Sequence, residues 1–205
     1  GTDDGVIQVT EDAGQNWTKI TRFPGVPEYT LVSDILPDRF DENVVYACFD
    51  NIKRDDFKPY LLKSTDKGKT WTSIAANLPE NHTVLTIAQD FIDKDILFAG
   101  TEFGVFFTLD GGKIWTQLSS GLPTIKVPDI VIQERECDLV IATFGRGIYI
   151  LDNYSPLRQL KKETREKEAF IFPVKDALMF SRDGGYYGQG SNFFYAPNPE
   201  YGATI

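Results

Sequence analysis

Two groups of acidic residues stand out in this sequence, and they suit different chemistry. The first is the run Asp50, Lys53, Arg54, Asp55, Asp56 and Phe57, with Glu102-Phe103 and Arg146 at comparable places further along. Glycoside hydrolysis needs two carboxylates at a defined separation, which a sequence does not supply. A Ca²⁺ loop needs Asp-x-Asn/Asp-x-Asn/Asp-Gly, and the spacing of Asp50, Asp55 and Asp56 does not match it. His82, the single histidine, has no His or Cys companion for zinc. No catalytic residue, metal or cofactor is assigned. Asp50, Asp55, Asp56, Phe57, Glu102, Phe103 and Arg146 are kept as binding candidates, since charge and aromatics on loops of a rigid scaffold meet ligands. The competing expectation is a solvated loop with Phe57 tucked beneath it, and an Arg146 that forks onto backbone carbonyls.

The second group recurs. Thr10, Asp12, Gly14 and Trp17 form one copy, Ser64, Asp66, Gly68 and Trp71 another, and Thr108, Asp110, Gly112 and Trp115 a third, so the copies contain all three tryptophans. Here the chemistry is structural. An Asp accepts hydrogen bonds from nearby backbone amides, a Gly takes the left-handed conformation, and the Trp opens the next strand and buries its ring beside the turn. Each copy reads as the hairpin between the last two strands of a small sheet.

The elements between these turns follow the same period. Strands are expected at residues 6–10 and 17–20, then 30–36, 44–49, 60–64 and 71–74, then 84–88, 96–99, 105–109 and 115–118, and finally 130–133, 139–143 and 148–151. Asp152 falls where a fourth turn belongs but lacks the Gly and Trp. Four-stranded units recurring at roughly 40 to 55 residues mean propeller blades. The expected fold is all-β: a partial β-propeller of about four blades, two of them incomplete, at residues 1–154. A helix or linker follows at 155–169, where Ser155-Pro156 is a helix-start signal, and 170–205 reads as the start of a β-rich segment. An arc of this size cannot close a ring, so the chain is expected to be the tail of a longer protein whose upstream blades are its partners. In a meander, the loops joining strands two and three lie at the opposite end from the repeated Asp turns. Residues 50–59, 101–104 and 144–147 are those loops.

The formal net charge of −9 argues against nucleic acid or an anionic membrane as partner. No run approaches the ~20 apolar residues of a membrane span. Cys48 and Cys137 form no metal or disulfide framework.

The three Asp turns match the Asp-box of BNR-repeat β-propellers, the class that includes sialidases, sortilin-type receptors and xyloglucanase-like glycoside hydrolases. The runs at 55–60, 99–104, 143–152 and 155–160 together resemble the C-terminal part of large bacterial secreted propeller proteins described as sortilin-like or glycosyl hydrolase-like. One departure is Phe144, where that family often has His before Gly-Arg. The resemblance implies a secreted or periplasmic protein, structural Asp-boxes, and a recognition scaffold that binds protein, peptide or glycan. The alternative it implies is a piece of a glycoside hydrolase whose carboxylates lie outside this chain.

Overall fold

Alternating apolar residues bounded by Asp, Gly and Pro turns produce a succession of short antiparallel strands. The structure, a computed structural model, describes residues 1–160, 164 and 166–177. Residues 1–158 form one compact unit and the chain from 159 onward another. In the first, β1 (Ile7–Val9) and β2 (Thr18–Ile20) make a two-stranded sheet. The second sheet is β3 (Leu31–Pro37), β4 (Val45–Asn51), β5 (Asp56–Ser64) and β6 (Thr72–Ser73). The third is β7 (Val84–Gln89), β8 (Leu97–Thr101), β9 (Gly104–Thr108) and β10 (Thr116–Leu118). The fourth is β11 (Asp129–Gln133), β12 (Asp138–Ala142) and β13 (Ile148–Leu151). Every pairing is antiparallel between consecutive strands. Beyond Asp152, the expected helix or linker begins with a 3₁₀ stretch, Ser155–Gln159, and residues 161–163 and 165 lie outside the described residues. In the second unit Thr164 donates to the Gln159 carbonyl at 2.8 Å, and residues 170–177 carry no strand. The β-rich segment expected from 170 lies, from 178 on, outside the described residues.

The core sits between the sheets. Ile7 and Phe23 pack on Val32, Ala47, Phe49, Leu62 and Trp71. The other face of the second sheet, with Tyr46, Cys48 and Leu61, meets Val84, Leu97, Phe106 and Trp115 of the third. The third sheet's far face, with Phe98, Val105 and Phe107, is covered by Val127, Ile130, Leu139 and Ile141. The Gly100 backbone lies so close to the next sheet that a Cβ there would sit 2.6 Å from the Val127 carbonyl oxygen.

The Asp turns pin the outer strands. Ser64 Oγ accepts the Gly68 amide at 2.8 Å and donates to Asp66 Oδ1 at 2.8 Å; Asp66 in turn takes the Thr70 amide at 2.8 Å and the Thr70 hydroxyl at 2.6 Å. Those bonds, chiefly from Thr70, hold the Asp66 carboxyl down at about 2. The same bonds recur from Gly14 to Thr10, Asn16 to Asp12, Gly112 to Thr108 and Ile114 to Asp110. Gly68 and Gly112 have φ of 83° and 95°, and a Cβ on Gly112 would meet Ile74 at 2.9 Å. The tryptophans diverge, however. Trp71 and Trp115 are buried, whereas Trp17 is 57% exposed. Trp71 packs edge-on to Phe23 at 5.5 Å, and Trp115 reaches back to the Ile74 carbonyl at 2.8 Å. A box tryptophan is buried by the sheet before its own, and no described sheet covers the outer side of β1 and β2.

Deleting a buried indole leaves a cavity, so Trp71→Ala should cost ~3 to 5 kcal/mol, whereas Trp17→Ala should cost about 1 kcal/mol or less. Urea unfolding of the two variants, compared at matched slope, checks the difference.

Candidate functional site

The turns joining the second and third strands of each sheet emerge at one end of the stack, together with the connectors between sheets. Their form is set by a threonine. Thr101 closes β8 and donates its hydroxyl to the Gly104 carbonyl at 2.9 Å, so only Glu102 and Phe103 make the turn. Thr143 does the same to Gly147 at 2.6 Å, around Phe144 and Arg146. Thr2 holds Val6, accepting its amide at 2.9 Å. The carbonyls behind these threonines serve the next sheet: the Val127 amide bonds Thr101 at 2.9 Å and the Val32 amide bonds Thr2 at 3.1 Å. The turn tips are therefore mounted on two sheets at once.

The second sheet departs from this. Residues 50–59, expected as a long charged loop, are mostly strand: β4 runs to Asn51 and β5 begins at Asp56, with a 3₁₀ turn Ile52–Arg54 between them. Hydrogen bonds stabilise the extension. Asp56 Oδ2 accepts Tyr60 OH at 2.7 Å and Asn51 Nδ2 at 3.0 Å. Burial alone would raise the Asp56 carboxyl, but these bonds and the Lys58 amide outweigh it and keep it low. Asp50 accepts the Ile52 amide at 2.8 Å, and Asp55 caps the turn with φ of 60°. Arg54 lies 5.9 Å from the Tyr29 ring and donates to the Glu28 and Tyr29 carbonyls.

Apolar rings remain at the surface of this end. Phe57 is 40% exposed, Phe103 39%, Phe144 74% and Tyr29 63%. His82, from the connector before β7, stands edge-on to Phe103 at 5.1 Å and to Phe106 at 5.5 Å. Burial lowers its imidazole pKa and so favours the neutral ring. Glu102 pairs with Lys126 at 2.7 Å. Arg146 is exposed and makes no fork to backbone among the described residues. A cavity of about 360 Å³ opens at this end between the first two sheets, lined by Phe23, Val26, Glu28, Thr30 and Phe49. The candidates Asp50, Asp55, Asp56 and Phe57 thus gather on the second sheet, Glu102 and Phe103 on the third, and Arg146 on the fourth. Tyr29, Lys126 and Phe144 join them, and only the exposed aromatic character of Tyr29 and Phe144 could have marked them beforehand.

The opposite end is occupied by its own bonds. Asp38 accepts the amides of Phe40 at 2.8 Å and Asp41 at 2.9 Å, and its other oxygen takes Gln89 of the next sheet at 2.6 Å. Asp90 repeats the pattern with the amides of Ile92 at 3.1 Å and Asp93 at 2.7 Å. Its donors from beyond the fourth sheet are Tyr154 OH at 2.6 Å and Arg158, at 2.9 Å through Nε and 2.6 Å through Nη2. The Asp90 side chain is fully buried. The signal was present as Asp38-x-x-Asp41-x-x-Val44 and Asp90-x-x-Asp93-x-x-Ile96. With these partners engaged, Asp38 and Asp90 are structural.

No family model matches the chain, and no curated protein matches it either. Solved structures do. The GH74 enzyme of Niastella koreensis matches 73% of this chain and 25% of its own at 16% identity and a TM-score of 0.53. The structure of YCF48 bound to D1 peptide matches over 75% and 46%, at 17% identity and 0.54. The extracellular domain of BT4673, a putative one-component system of B. thetaiotaomicron, matches over 74% and 19%, at 16% identity and 0.54. This chain shares the β-propeller fold. Its four sheets are propeller blades, and it spans less than half the length of each of these structures.

Asp90 also sets a pH dependence. Burial works to raise its carboxyl, but Arg158, Tyr154 and two amides outweigh it and hold it below the usual range. A depressed carboxylate contributes stability that is complete above the unfolded value of about 3.9 and is lost as pH falls through the folded value. Arg158→Met, which strands the buried charge, should cost ~3 to 5 kcal/mol at neutral pH. Urea midpoints measured from roughly pH 2 to pH 7 should show the acid loss in the parent, and in the variant a deficit that is largest at neutral pH and shrinks as the stranded carboxyl takes up a proton on acidification.

Proposed function

We propose that this chain is part of a non-catalytic recognition scaffold, within a secreted or periplasmic sortilin-like propeller protein, that binds protein or peptide through the end carrying the two-to-three turns. The observation that carries this reading is that Phe57, Phe103 and Phe144, from three successive blades, are each exposed at or beside the two-to-three turns. Rigid aromatics lose little conformational entropy on binding and supply large contact area, so they anchor peptide segments well. YCF48, which shares the fold, has been solved with a peptide bound. Glycan stacking on the same rings is the nearest variant of this reading.

Hydrolysis is less well supported by the acidic side chains of this end. Glu102 is held by Lys126, and Asp56 by Tyr60 and Asn51, so both are engaged in ways that fix turns. Upstream blades of the same protein are the further partners proposed.

The experiment is a peptide-display selection and a plant and bacterial glycan array, run on the longest polypeptide that contains this chain. Phe103→Ser and Phe144→Ser should each weaken the selected ligand by about tenfold and leave the melting temperature unchanged, as expected for exposed anchors. Release of reducing sugar from a glycan, abolished by changing either of two facing carboxylates to the amide, would replace this reading with a glycoside hydrolase.

A further inference from the structure

Two departures from the repeat meet at one place on the end that carries the two-to-three turns. The connector from Trp17 to Val32 is longer than its counterparts from Trp71 to Val84 and from Trp115 to Val127, and the hairpin of the second blade is longer than those of the third and fourth. Insertions into a repeat tend to collect on the face that binds. Arg54, at the tip of the long hairpin, joins the two. It donates to the Glu28 carbonyl at 3.3 Å and to the Tyr29 carbonyl, and its guanidinium lies against the Tyr29 ring. The cavity of about 360 Å³ opens beside this connector.

Its walls are held in place by bonds of the protein itself. Phe23 and Phe49 line it with ring centroids 4.7 Å apart, and Phe23 is braced in turn by Trp71 at 5.5 Å. Along the connector, the Val26 amide bonds the Phe23 carbonyl at 3.2 Å and the Thr30 hydroxyl donates to the Pro27 carbonyl at 2.7 Å. The first blade's turn closes in through Gly5, where a Cβ would sit 2.7 Å from the Thr30 carbonyl oxygen. A ligand entering here meets a site whose ordering cost is already met.

The mouth differs chemically from the surfaces that this chain buries for good. Arg22 and Glu28, both lining the cavity, lie 3.4 Å apart with side chains 86% and 61% exposed. An ion pair this exposed contributes little and yields to a partner. The faces between the sheets are apolar instead, and Asp90, the one charged residue buried among the described residues, has Arg158 set against it. A segment of this chain lying permanently over the cavity would have to strip water from Arg22 and Glu28 with no such provision. An apolar floor inside a wet, charged rim suits a partner that arrives and leaves.

We propose that this cavity is the specificity pocket of the recognition end and takes one large apolar side chain, aromatic or leucine-like, from the partner peptide. This role rests on the peptide reading of that end and adds the residue type that the peptide must present. At about 360 Å³ the space is near the lower bound of ligand pockets, which suits a single side chain.

The probes are N-acetylphenylalaninamide and N-acetylleucinamide, with N-acetylglycinamide as the blank, titrated into the longest polypeptide that contains this chain with its valine and threonine methyls labelled for NMR. The Val26 and Thr30 methyls should shift saturably with the first two, at a Kd of about 1 mM, and stay still with the third. Val26→Trp, which fills the cavity from its wall, should abolish the Thr30 shift. Arg54→Gln frees the connector without altering the lining and should weaken the probes by about tenfold, so the test stands even where Val26→Trp melts early. Phe103→Ser should leave the probes unaffected. No saturable shift by about 10 mM probe, equal shifts with N-acetylglycinamide, or unchanged affinity in a folded variant would overturn the proposal. So would nuclear Overhauser contacts, in the free protein, between Val26 and residues beyond 160, which would mean that the chain fills its own cavity. A display-selected peptide weakened by Phe103→Ser but indifferent to both Val26→Trp and Arg54→Gln would strike the pocket alone and leave the recognition reading standing.

Discussion

Every residue of β7, β8 and β9 is buried, and that single constraint shapes the rest of the molecule. A sheet that is apolar on both faces exists in water only between two others, and here the second and fourth sheets fill those places. Burial also reaches polar side chains on β7, which are costly to desolvate without partners. Thr86 meets Asp34 of the second sheet at 2.9 Å, and Gln89 meets Asp38 at 2.6 Å. The bonds that solve this desolvation problem therefore run between sheets and fix how one sheet is set against the next. A shift between sheets would break packing and strand buried polar groups together.

The two ends of the stack inherit different roles from this. At the end of the one-to-two loops and Asp turns, Asp38, Asp66, Asp90 and Asp110 accept amides or cross-sheet donors and so hold the fold. At the other end, threonine hydroxyls and main-chain bridges do the holding, with Val127 tied to Thr101 and Val32 to Thr2. Main-chain bonds fix much of the geometry there, and at the tips held by Thr101 and Thr143 the side chains, apart from Glu102, which pairs with Lys126, carry no hydrogen bond or ion pair among the described residues. Phe103, Phe144 and Arg146 occupy those tips. A binding surface can vary at such positions while the scaffold beneath stays constant.

Much of this was legible in the sequence, because the Asp turns combine four residue types at fixed offsets and recur three times. Strand placement followed from alternation, within a few residues at each end. Residues 50–59 were harder: Asp55, Asp56, Lys58 and Pro59 read as loop by composition, yet Tyr60 and Asn51 bond Asp56 and extend the hairpin. Local composition cannot reveal a hydrogen bond made across the turn. The exposure of Trp17 was equally hidden, since an indole's burial depends on the preceding sheet rather than on its own turn. The Asp38 and Asp90 loops are a true repeat that sequence alone hides, because their flanking residues differ and the partners that define them, Gln89 for Asp38 and Tyr154 and Arg158 for Asp90, come from distant parts of the chain.

The fourth blade shows which of two local solutions prevails when they compete. Continuing the repeat would add an outer strand like β6 or β10, which are short and whose side chains are largely exposed. Two or three main-chain hydrogen bonds at roughly 1 kcal/mol each are what such a strand contributes. Asp38 is only partly buried and is satisfied by amides, Tyr46 and Gln89, all neutral donors. Asp90 is fully buried, and an ionised carboxylate there without a cation costs several kcal/mol. Arg158 and Tyr154 answer that cost directly, with the guanidinium also stacked 4.8 Å from Phe91 and the Tyr154 ring set against Phe98 at 5.1 Å. Residues 152–158 cannot both reach Asp90 and run along β13. Neutralising the buried charge is worth more than a few edge hydrogen bonds, so residues 152–158 turn to Asp90 rather than run along β13.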